Sequence, residues 1–74
     1  MTDAIKEGQI WREVDPRFDR HIRVESVRSG RRGISIRTVV HRDDGWRDTY
    51  NSRLSYADPE RFNGKRGGYA YVEG

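Results

Sequence analysis

Ile34-Ser35-Ile36-Arg37-Thr38-Val39-Val40 sets Ile34, Ile36, Thr38 and Val40 on one side of an extended chain and turns Ser35 and Arg37 to the other. Such a two-residue period predicts a strand. Successive Cβ atoms point to opposite faces, and β-branched side chains fit the pleat. Upstream, His21-Ile22-Arg23-Val24-Glu25 repeats the pattern with Ile22 and Val24 inward. The apolar phase then slips to Val27, which predicts a bulge or strand end near Ser26. Ser29-Gly30-Arg31-Arg32-Gly33, between the two stretches, reads as a turn.

Outward from this pair, the punctuation continues at short intervals. Gln9 to Val14 reads as a first strand, with Ile10 and Val14 facing away from Trp11 and Glu13. Asp15-Pro16 stops it, and residues 15–21 form a loop carrying Phe18. Asp43-Asp44-Gly45 is a hairpin signal, since Asp-Gly tolerates the positive φ of tight turns. Trp46 to Leu54 reads as a fourth strand, although Leu54 breaks its period. Asp58-Pro59-Glu60-Arg61-Phe62 predicts a single 3₁₀ turn. Asp58 is suited to cap it, Pro59 to its first position and Asn63-Gly64 to its end. Gly67-Gly68 releases a last strand, Tyr69 to Val72. Nothing supports a long amphipathic helix. Five short strands with one 3₁₀ turn before the last predict an all-β SH3-like barrel over residues 8–74, preceded by a flexible segment 1–7. The alternative is an open, strongly twisted antiparallel sheet.

Composition agrees with one small, thinly cored domain. The 74 residues carry only 14 Ile, Val, Leu and Phe in all, but two Trp and four Tyr add bulk that a disordered chain usually lacks. Trp11 and Phe62 are therefore expected in the core. The absence of Cys excludes disulfides and thiolate chemistry. No apolar run approaches the roughly 18 residues of a membrane span, and Met1-Thr2-Asp3-Ala4-Ile5-Lys6-Glu7 has no apolar signal-peptide core. A soluble cytoplasmic domain is expected.

Gly8-Gln9-Ile10-Trp11-Arg12, Asp15-Pro16-Arg17, Arg61-Phe62 and Gly68-Tyr69 together resemble a set of small uncharacterised bacterial and phage proteins. Those proteins open on a Gly-x-Ile/Val-Trp strand with an Asp-Pro-Arg turn and close on an Arg-Phe, a short loop and a Gly-Tyr strand. The resemblance runs from Gly8 onward and implies architecture: a Trp on the first strand and an aromatic after a helical turn. It implies no activity.

Catalytic patterns are missing. His21 and His41 stand alone at a loop edge and a strand end, so no metal or other cofactor is expected. The serines lie in no nucleophile elbow, and Asp43 and Asp44 are explained by their turn. Gly64-Lys65-Arg66-Gly67-Gly68 lacks the spacing of a phosphate loop and precedes no long helix. The expectation is a non-enzymatic binding module.

Charge suggests where it would bind. Fifteen bases face 12 acids for a net +3, and 13 of the bases are Arg. The Arg excess has two readings: codon usage in a GC-rich genome, or a function for its planar fork, which suits phosphate. In a barrel the loops around 15–21, 28–32 and 58–66 gather on one side. Arg28, Arg31 and Arg32 give +3 there, residues 58–66 add +1 and residues 15–21 cancel. The hairpin His41–Gly45 at the far end carries −1. Arg28, Arg31, Arg32, Lys65 and Arg66 are the candidate nucleic-acid contacts, and Phe18 and Tyr56 the candidate aromatic groove. The alternative is a protein-interaction domain or homodimer. No membrane partner is expected.

Overall fold

The computed structural model describes residues 5–17 and 19–74. It contains six strands: β1 (Ile10–Glu13), β2 (His21–Val27), β3 (Ile34–Arg42), β4 (Gly45–Asp48), β5 (Ser55–Ala57) and β6 (Tyr69–Glu73). A 3₁₀ turn, Pro59–Arg61, precedes the last strand. Every pairing is antiparallel. The strand order is β4-β3-β2-β1-β6, with β5 also on β3. All-β architecture and the 3₁₀ turn before the last strand are as expected; the five-stranded closed barrel is not. The sheet stays open because the free side of β3 is divided. Its C-terminal half takes β4 and its N-terminal half takes β5, and neither short strand reaches β6.

The division follows from residues 49–52, which sequence alone had merged into one strand, 46–54. The Thr49 N–H and the Ser52 hydroxyl both donate to the Thr38 carbonyl, at 3.2 and 2.9 Å, and the Ser52 N–H donates to the Thr49 carbonyl at 3.0 Å. Short polar side chains that bond the nearby backbone favour turns over ladders, so the strand breaks there. At Asp43-Asp44-Gly45 the expected hairpin forms, with Gly45 at φ +116. The expected bulge also forms. The β2–β3 register shifts between Val24 and Ser26, leaving Val24 opposite Ile36 and Ser26 opposite Ser35.

One face of the sheet carries the core: Trp11, Ile22, Val24, Ile34, Ile36, Ala57, Phe62 and Tyr69, with Ile5 packed against it. Aromatic rings fill the space that so few aliphatics leave. Trp11 meets Phe62 edge-on at 5.0 Å and Tyr71 at 5.6 Å, and Phe62 lies 5.0 Å from Tyr69. The Trp11 indole N–H donates to Gln9 Oε1 at 3.1 Å, so its one polar atom is satisfied within the protein.

Ile10 and Val39 are just as buried, yet they lie outside this cluster. By strand alternation Val39 belongs to the opposite, outer face. There the Trp46 ring sits 4.9 Å from both His21 and His41, and its N–H donates to the Glu73 carboxylate of β6. A side-chain bond thus links the two edge strands of the open sheet. Among the described residues, no helix is long and apolar enough to cross a membrane.

Candidate functional site

The segment from Arg28 to Gly33 joins β2 to β3. Its closure depends on Gly33: the Arg28 N–H donates to the Gly33 carbonyl at 2.7 Å, and a Cβ on Gly33 would stand 2.0 Å from the Arg28 carbonyl oxygen. Arg32 adopts φ +53, a left-handed conformation that costs a non-glycine residue about 1 kcal/mol. Its N–H donates to Asp58 Oδ1 at 2.7 Å, which ties the hairpin to the start of the 3₁₀ turn. Asp58 makes no side-chain cap to that turn, contrary to its expected role, because its carboxylate is engaged by Arg32 instead.

Arg28 and Arg32 line an open cleft of about 190 Å³ on the outer face of the sheet. The Ser26 and Ser35 hydroxyls lie 2.6 Å apart in its lining, and Leu54 and Tyr56 complete it. The topology explains this grouping. The bulge in β2 turns Ser26 to the outer face, where it pairs with Ser35, and Ser35 in turn pairs with Tyr56 of β5. Ser35 is buried at 6% exposure, whereas the Tyr56 side chain is largely open at 59%. No carboxylate lines this cleft. Among the described residues, the Arg28 and Arg32 guanidiniums form no ion pair.

The remaining candidates stand apart from it. Arg31, on the same hairpin, lines a different cleft of about 360 Å³ whose walls include Asp58 and Glu60. Carboxylates in the same lining offset the field that this cation presents to an anion. The loop bearing Lys65 and Arg66 lies against the end of β1. There the Gly67 N–H donates to the Val14 carbonyl at 3.0 Å, and the Val14 N–H to the Gly68 carbonyl at 2.9 Å. Arg66 is close enough to Asp15 for its charge to act there. The Asp15 carboxyl is held below the usual carboxylate range, first by the Arg17 side-chain hydrogen bond and lastly by Arg66. The five cations therefore occupy more than one surface. Phe18 lies outside the described residues.

Arg61 belongs to the fold. Its guanidinium donates to the Gly67 carbonyl at 3.2 Å and sits 4.8 Å over the Tyr69 ring. Burial pushes the Tyr69 phenol above the usual tyrosine range. Sequence reasoning missed Ser26, Ser35 and Leu54. The alternation around Ser35 and the phase slip at Val27 did carry part of the signal, but the β3–β5 pairing that sets Tyr56 beside Ser35 is a long-range event. Among the described residues no group of three or more His, Cys, Asp and Glu could hold a metal ion. No family model, curated protein or solved structure matches the chain, so the chemistry of this surface is read from its own residues.

Proposed function

We propose that the domain is a non-enzymatic module that binds the phosphate backbone of nucleic acid through the Arg28–Gly33 hairpin. The observation that carries this reading is the cleft in which two guanidiniums, Arg28 and Arg32, stand beside two hydroxyls with no carboxylate in the lining. A guanidinium offers a planar fork of donors that matches two phosphate oxygens at once. Contacts of this kind fix position on a strand without reading its sequence. Lys65 and Arg66 form a second, weaker patch in this reading.

The test is fluorescence anisotropy with labelled single-stranded and duplex oligonucleotides across a salt series, starting at low ionic strength, where binding of either one counts. Two phosphate contacts from Arg28 and Arg32 give a log–log salt slope of roughly −2, at about 0.9 per phosphate. Arg32→Gly separates function from folding. Glycine accepts the positive φ without strain, so the variant keeps or gains thermal stability while its affinity and salt slope fall. Absence of binding at low salt, or a slope unchanged by Arg32→Gly, overturns the reading.

A second reading, a protein-interaction domain or homodimer, is favoured by the unclosed sheet. β6 is an edge strand, and Tyr71 and Val72 on it are 43% and 38% exposed. Open edges accept a further strand from another chain. Sedimentation equilibrium distinguishes a dimer from a monomer directly.

A further inference from the structure

We infer that the Arg28–Arg32 cleft takes single-stranded rather than duplex nucleic acid, with one base stacked on the Tyr56 ring and the adjoining phosphate between the two guanidiniums. This deepens the phosphate-binding reading and rests on it.

The inference starts from the state of the ring. Tyr56 is 59% exposed on the surface of β5, and among the described residues no other aromatic ring or cation lies against it. Tyr50 is also fully exposed but lies outside the lining of this cleft, and the other large rings among the described residues are used by the fold. Trp11, Phe62 and Tyr69 fill the core, Tyr71 lies against Trp11, and Trp46 is held between two imidazoles. Tyr56 is thus an aromatic ring set in the same lining as two cations, with its face not stacked on another ring among the described residues.

The lining then has the right parts for one nucleotide. Between the Ser26 and Ser35 hydroxyls, 2.6 Å apart, one O–H is consumed by the mutual hydrogen bond. The acceptor of that bond keeps its own O–H, which leaves the pair one donor for a phosphate or sugar oxygen. Leu54, 42% exposed, supplies an apolar wall for a sugar or base edge.

A duplex fits poorly. Its bases are stacked on one another, and their faces are hidden from a single protein ring. A single strand can splay a base out and keep its phosphate within reach of a neighbouring cation. The ring adds affinity only when the base is free, and the two Arg act on either form.

The experiment is anisotropy at low ionic strength with three labelled probes of equal length: an oligothymidine single strand, a duplex and an abasic single strand. The oligothymidine binds about tenfold more tightly than the duplex. Tyr56→Ala removes most of that advantage and leaves the duplex and abasic affinities unchanged, while Tyr56→Phe retains it. Tyr56 is exposed, so both variants keep the fold, and circular dichroism checks this. Equal affinity for single strand and duplex, or indifference of the oligothymidine to Tyr56→Ala, overturns the inference while the phosphate-binding reading stands. If none of the three probes binds, both fall together.

Discussion

β3 ends in two hairpins made from similar residues that do different things. At its N-terminal end Arg28 and Arg32 line a cleft free of carboxylates. At its C-terminal end several charges are engaged within the fold. Arg47 pairs with Asp44 across the turn, and Arg23 bonds Asp48 at 2.6 Å and Glu25 at 2.7 Å. Trp46 shows the same contrast with Tyr56: one indole donates to Glu73 between two imidazoles, and the other ring stands open. The number of cations is therefore a poor guide to a binding surface. What counts is whether a carboxylate pairs with their guanidiniums: residues 28–33 hold no Asp or Glu, whereas the turn at the other end holds Asp43 and Asp44, and Asp44 takes Arg47.

The largest expected effect contrasts the two halves of β3 on its core face. Ile36 is 6% exposed within the main cluster, whereas Val40 is only half-buried. Ile36→Ala should cost on the order of 2–4 kcal/mol and Val40→Ala about 1 kcal/mol or less, by urea denaturation. Equal losses would break the distinction between a packed half and a thin half.

Charge reversal probes the two ends next. Arg28→Glu with Arg32→Glu should reduce oligonucleotide affinity at least ~10-fold and lower the salt slope by about 2. Arg42→Glu on the far hairpin should change affinity less than about threefold. Similar losses from the two proteins would indicate a response to net charge alone. Smaller still is Trp46→Phe, which keeps a ring between His21 and His41 but removes the donor to Glu73. It should cost about 0.5–1 kcal/mol in thermal unfolding, and no change would show that the link between the edge strands contributes nothing.

The smallest effect concerns acid. The Arg47 side-chain hydrogen bond lowers the Asp44 carboxyl below its usual range. A lowered folded-state value means that this contribution is present above the ordinary carboxylate range and is lost only as pH falls through the depressed value. Carboxyl NMR should show Asp44 titrating below the ordinary value, and Arg47→Gln should return it there. An ordinary value in the unmodified protein would remove the ion pair from the description of this end.

Much of the fold was legible because local signals agreed. The alternation at Ile34–Val40, the phase slip at Ser26, Asp-Gly at residues 44–45 and Pro59 each specify a local geometry that the structure keeps. Closure was not legible. It depends on whether 49–52 continues a strand, and that is settled by bonds to Thr38, eleven or more residues away in sequence. The site was legible only in part. Arg28, Arg32 and Tyr56 were identifiable as residue types, but their meeting depends on the β3–β5 register. Arg31, Lys65 and Arg66 were grouped with them by charge, and packing against Asp58, Glu60 and the end of β1 separates them.

The most direct test of the difference between the two ends is an NMR titration of the ¹⁵N-labelled protein with a short oligothymidine at low ionic strength. Amides of residues 26–33 and 54–57 should shift in proportion to added oligonucleotide, while those of 41–48 stay in place. Shifts centred on 41–48, or spread evenly over both hairpins, would contradict the assignment of binding to the Arg28–Arg32 end.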